Sequence, residues 1–187
     1  DLVLSWPSVN GAVGYRVYRS QFPFLTAGLT TFSDVTASEY TDSNTSVDAV
    51  YYRVATLYSL GGESPLSREV GQFPIRILPG WNLLAWPLLP DDTSLDSVVG
   101  NQLYGTEDPL TSDQILVWDS ASQTYHSAWY CGGEVCEAWG EPWANHWLAE
   151  DYSLSNLRLD PDVGFWVQNR SGIEETLLLL GETNRAN

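Results

Sequence analysis

Lysine and methionine are absent from the chain, cysteine and histidine occur only twice each, and no apolar run approaches the length of a membrane span. Each shortage excludes something. All eight basic residues are arginines against 24 acidic side chains, which gives a net charge of −16. Such a surface repels phosphate backbones and anionic membranes, so neither nucleic acid binding nor membrane insertion is expected. With only His126 and His146 available, a Ser-His-Asp triad has no suggestive setting. No nucleophile elbow, glycine-rich phosphate loop or HExxH segment occurs either, so no catalytic residue is assigned and the expectation is a non-enzyme. No charged-then-apolar leader precedes Asp1 and there is no starting Met, so the chain reads as a processed or excised segment.

What is present is apolar, aromatic and acidic. The chain is 187 residues long and 43% hydrophobic, enough for one large domain or two small ones. Residues 1–75 alternate apolar and polar side chains in short runs separated by turn formers, the pattern of an antiparallel sandwich. Strands are expected at "LVLSW", "GYRVYRS", "EYTDS", "VYYRVATLY" and "REVGQF". In the second of these, Tyr15 and Val17 share the inward face while Arg16 and Tyr18 face solvent. Residues 76–187 form a second all-β unit, in which "QILVWD" and "QTYHSAWY" make a hairpin with Leu116 and Trp118 on one face and Ile115 and Val117 on the other. One short helix is expected, in "TSLDSVVGNQL", capped by Ser94 or Thr93. The fold class is all-β.

The segment "LSWPSVNGAVGYRVYRS", followed later by "YYRVATLYSLGGESPLS", resembles a fibronectin type III domain. In that likeness Trp6 is the core tryptophan of the second strand, and Tyr52 or Tyr51 the tyrosine of the sixth. The resemblance implies a sandwich that begins inside its second strand, lacking the first. Such an edge would be left by truncation, or covered by a strand from another copy of the protein. Residues 79–182, with "GWNL", the "WD…Y" hairpin and "DPDVGFWV", resemble a tryptophan- and glycine-rich all-β module that follows fibronectin type III domains in secreted or surface proteins of bacteria. That likeness implies an extracellular or cell-surface location and says little about chemistry.

Several residues carry candidate roles. Cys131 and Cys136 enclose "GGEV", a gap that a glycine turn can close, so a disulfide is expected rather than zinc. Trp129, Trp139, Trp143 and Trp147 crowd the same stretch and fit a satellite core, a protein interface or a platform for sugars. The acidic positions Asp42, Asn44 and Asp48, and Asp91 and Asp92, offer calcium a partial site; a solvated acidic turn is the alternative. No other cofactor is implied. Leu2, Val3 and Leu4, and the run Leu177, Leu178, Leu179 and Leu180, are the candidate edges for strand exchange, because the leucine run puts apolar side chains on both faces of one strand. Asn44 and Asn169 head N-glycosylation sequons. The first functional expectation is a structural subunit of an extracellular assembly, a filament of exchanged strands whose partners are other copies of itself. The alternative is a carbohydrate-binding or adhesive accessory module of a larger secreted protein.

Overall fold

A computed structural model describes residues 1–24, 30–44 and 48–183. The chain forms two compact units, one of Asp1–Phe73 together with the segment from Leu180 onward, the other of Pro74–Leu179. The last strand runs on past Leu179 into the first unit, where Thr183 N–H donates to Glu69 O and Arg68 pairs with Glu182.

The first unit contains β1 (Leu2–Ser5), β2 (Ala12–Ser20), β3 (Thr30–Val35), β4 (Glu39–Asp42), β5 (Val50–Tyr58) and the start of β6 (Val70–Ile77). Here β1 pairs with β4, and β2 lies between β3 and β5, with β6 beyond β5, all antiparallel. Val17, Val50 and Tyr52 are buried from one layer and meet Leu2, Leu4 and Trp6 from the other. The expected alternation in β2 holds, since Tyr15 and Val17 are buried. The indole of Trp6 packs edge-on to Tyr15 with ring centroids 5.4 Å apart, and Tyr15 Oη accepts from Val9 N–H. Strand β3 had no counterpart among the expected strands. Four of its central residues are exposed, so no apolar alternation marks it. It is held instead by backbone pairing and by Arg16, which grips Asp34 with two nitrogens and lies 4.5 Å over the Phe32 ring.

The second unit contains β7 (Gly80–Ala85), β8 (Leu88–Leu89), α1 (Leu95–Val98), β9 (Gln114–Asp119), β10 (Thr124–Cys131), α2 (Glu134–Trp139), β11 (His146–Leu148), β12 (Gly164–Asn169) and most of β13 (Glu175–Thr183). A five-stranded antiparallel sheet runs in the order β11-β10-β9-β12-β7. Its inner face offers Ile115, Ala128, Phe165 and Val167, while Ile77, Leu88, Leu177 and Leu179 come from β6, β8 and β13; all are buried. Fully burying each such aliphatic side chain contributes about 2 kcal/mol. Helix α1 adds Leu95 and Val98 to this core. Its expected cap differs in detail: the Ser94 hydroxyl makes no cap hydrogen bond, and Asp92 instead accepts from Ser94 N–H and the Ser97 hydroxyl. A second helix, α2, corrects the expectation of one.

Candidate functional site

The cysteine-containing stretch does close on itself. Cys131 and Cys136 form a disulfide with Cα atoms 5.8 Å apart. A turn of helix, not a hairpin, spans the gap: α2 begins after Gly133, whose φ of 86° is a conformation that suits glycine. Both cysteines are buried with Trp129 and Leu148. The thiolates that zinc would need are thus consumed.

The four tryptophans of this stretch do not share one surface. Trp129 and Leu148 face each other across β10 and β11, whereas Trp147 stands opposite Tyr130 on the other side of the same sheet. Trp129 and Trp147 are both buried, and their indole N–H groups donate to Ala149 O and Gly100 O. Neither is open to a ligand, which corrects their candidacy. Trp139 and Trp143 keep 41% and 38% of their surface, and Trp143 N–H donates to Tyr152 O. Two half-exposed rings, both C-terminal to the bridged loop, remain of the four candidates.

A larger aromatic surface lies elsewhere on the same sheet. Directly opposite residues of antiparallel strands point to the same face, so the register can be read as rows. One row joins Trp81, Gln168 and Gln114 and ends on the buried Trp129. The next joins Leu83, Trp166, Leu116 and Ser127. The third, two residues farther along, includes Trp118 and Tyr125. All point away from the buried face of Ile115, Phe165 and Val167. Trp81, Trp118 and Tyr125 are 52%, 43% and 48% exposed. Trp81 meets Trp166 edge-on at 6.2 Å, and Trp118 meets Tyr125 at 5.0 Å, so each ring is braced by a neighbour. None of these side chains is charged, in a chain of net charge −16. Gln168 Oε1 is buried here without a hydrogen-bond donor. The sequence marks these positions by the alternation of "GWNLLA" and the "WD…Y" hairpin. Because both faces of these strands are apolar, alternation alone did not say which face is covered.

The remaining candidates fall into ordinary structural roles. Asp42 is buried and accepts from Arg19 Nε at 2.6 Å, from the Tyr52 hydroxyl and from Asn44 N–H. Burial alone would raise its pKa, but hydrogen bonds from Tyr52, Arg19 and Asn44 outweigh that and hold it below the usual carboxylate value. Its oxygens are thus committed to protein donors rather than to calcium. Residues 45–47, part of the same acidic turn, lie outside the described residues. Asp92 is likewise committed, to Ser94, Ser97 and Arg158, and Ser94 N–H is the chief cause of its lowered pKa. Among the described residues no three His, Cys, Asp or Glu side chains are grouped to share a metal ion.

The leucine run is not an open edge, since β13 stands between β6 and β8. Leu177 and Leu179 are in the core, and Gln102 bonds both backbone groups of Leu178. Strand β1 is different: among the described residues its partner is β4 alone, with Val3 exposed. Asn169 is buried, its amide donating to Ile77 O and Ile173 O, so that sequon is closed in the folded chain.

Sequence reasoning missed a buried ionic cluster. Asp113, fully buried, accepts from Tyr104 N–H and Arg170 N–H, while the Arg170 guanidinium donates to Ser112 O, Pro109 O and Gln114 Oε1. Together they pin residues 104–113 to the end of β12. Glu175 joins them; burial, then a hydrogen bond to Asp113, pushes its pKa up to about 8. Nothing in the local sequence distinguishes these carboxylates from the many exposed ones.

No known family matches the chain, and no solved structure matches it. No helix among the described residues is long and apolar enough to cross a membrane. The chain is similar to an amylopullulanase of Thermoanaerobacterium thermosulfurigenes, 29% identical over 118 residues, a stretch that is 62% of this chain and 6% of that protein's length.

Proposed function

We propose that this chain is a non-catalytic accessory part of a larger extracellular protein and that its second unit holds polysaccharide. The observation that carries this reading is the uncharged, ring-bearing outer face of the five-stranded sheet. Apolar patches on otherwise charged proteins mark interaction sites, and tryptophan and tyrosine combine flat apolar area with a polar tip at low entropic cost. The apolar faces of pyranose rings suit such a surface. The partial similarity to an amylopullulanase, an enzyme named for pullulan, is in keeping with this reading. The first unit would serve as a fibronectin type III-like spacer. In support, its strands pair as β1 with β4 against β3-β2-β5-β6, an arrangement that the resemblance of Trp6 and Tyr52 anticipates. The test is retention of the full chain on insoluble or immobilised neutral polysaccharides, pullulan and starch among them. Saturable binding supports the reading, and a chain that passes unretained over all of them refutes it.

One observation favours a second reading, a subunit of an assembly joined by strand exchange. Among the described residues β1 has an unpaired side, with Leu2 and Leu4 against the core and Val3 outward. Sedimentation velocity over a wide concentration range tests it: concentration-dependent polymers support exchange, and a monomer throughout refutes it.

A further inference from the structure

The ring-bearing face has a direction as well as a chemistry. Trp81 is on β7, Trp166 on β12, Trp118 on β9 and Tyr125 on β10, four successive strands of the sheet. Along the strands, Trp166 lies one row beyond Trp81, and Trp118 and Tyr125 one row beyond Trp166. The rings therefore form a diagonal. Three strand spacings of about 4.8 Å and a four-residue advance of about 13 Å give it a length of roughly 20 Å. Leu83 and Leu116 fill its flanks at the level of Trp166.

Resting on the polysaccharide reading above, we infer that this diagonal is the binding site for one extended run of a neutral glycan, about four pyranose rings long. Length is the first argument. A linked pyranose advances a chain by about one strand spacing, roughly 5 Å, so a 20 Å row of rings seats about four of them. Width is the second: the exposed parts of Trp81, Trp118 and Tyr125 together offer roughly 350 Å², under half of the roughly 800 Å² per partner of a stable protein interface. The face thus fits a thin chain better than another protein or a second copy. Charge is the third. The rows carrying the rings hold no ionisable carboxylate or guanidinium, although the chain has 24 acidic residues and eight arginines. Charged groups reach the rows only through Gln114, bonded by Arg170, and Ser127, bonded to Glu150, and none stands among the rings, so a neutral chain suits them better than a charged one. Gln168 stands in register beside Trp81 at one end, and Gln114 beyond it is held by Pro109 O and the Arg170 guanidinium. The Gln168 oxygen has no donor within the protein.

The experiment is calorimetric titration of the full chain with maltooligosaccharides and cellooligosaccharides of two to seven units. Affinity should rise with each unit up to about four and then level. Trp81→Ala and Trp118→Ala, at opposite ends of the diagonal, should each weaken tetrasaccharide binding by tenfold or more, while Trp139→Ala, C-terminal to the bridged loop, leaves it unchanged. Leu83→Asp, which puts a charge on an exposed side chain and leaves the rings in place, should abolish binding with the melting transition preserved. Affinity that is flat from the disaccharide upward, or equal binding by wild type, Trp81→Ala and Trp118→Ala, overturns the site while leaving polysaccharide binding intact. A chain that binds none of these sugars and no insoluble polysaccharide overturns both.

Discussion

Replacing Asp42 with alanine should destabilise the first unit by about 3 kcal/mol, a figure that follows from what its carboxylate holds. Tyr52 is completely buried and gives its hydroxyl proton to Asp42. Without that acceptor the hydroxyl is stranded in an apolar core, at a cost of about 1–3 kcal/mol. Arg19 is a quarter exposed, so its loss of a partner is softened by water and costs about 1 kcal/mol. The Asn44 N–H sits at an exposed turn and can turn to solvent. Tyr52→Phe should cost less, about 1–2 kcal/mol, because Asp42 keeps Arg19 and Asn44 N–H. The double variant should therefore fall short of the sum by about 1–2 kcal/mol. The assay is native-state hydrogen exchange of the β2 and β5 amides, whose opening free energy reports this unit separately from the other. Because the folded pKa of Asp42 is lowered, its contribution is present above the unfolded carboxylate value and is lost as pH falls through the folded one. Additive effects of Asp42→Ala and Tyr52→Phe would refute the coupling. A deficit of the alanine variant that widens, instead of narrowing, as pH falls would refute the sign.

Glu175, raised from 4.5 to about 8, binds its proton more tightly in the folded chain, so its contribution is complete below about pH 4.5 and is lost as pH rises through 8. Glu175→Gln should flatten the fall in the second unit's melting temperature between pH 5 and 9; an unchanged slope argues against it. Cys131→Ala with Cys136→Ala should lower opening free energies in α2 and the end of β10 by about 2 kcal/mol, the loop-entropy value for so short a bridge. Amides of β7 and β12 should keep their protection, and a global loss would make the bridge a fold-wide tie. Gly105→Ala would set a Cβ 2.8 Å from Gly132 N and closer still to Tyr130 Cδ1. A melting curve should show a loss of about 1–3 kcal/mol, the usual cost of overpacking; an unchanged midpoint would show that the segments carrying Gly105 and Gly132 can part freely.

The strands were legible where one face is wet. "VYYRVATLY" is β5 from Val50 to Tyr58, and "GYRVYRS" lies within β2, because Tyr15 and Val17 alternate with Arg16 and Tyr18. Legibility failed for β3, whose exposed "TTFSDV" has no apolar rhythm, and for α2, a six-residue helix set between two glycines. The leucine run is covered on one face only, with Leu177 and Leu179 buried and Leu180 half exposed on the other. Its hydrogen-bonding edges depend on β6 and β8, which are distant in sequence. The tryptophans are the sharpest case. Clustering in sequence drew attention to Trp129 and Trp147, which are core, while Trp81, Trp166 and Trp118, scattered along the chain, converge only when β7, β12 and β9 pair.

That convergence is open to one direct measurement. The chain has nine tryptophans, hence nine indole N–H resonances in a nitrogen-labelled spectrum. Titration with maltotetraose or a soluble pullulan fragment should shift those of Trp81, Trp166 and Trp118 along a common saturation curve and leave Trp129 and Trp147 in place. Shifts confined to Trp139 and Trp143 would move the site to the segment after the bridged loop, and a spectrum that does not change at saturating sugar would contradict the account.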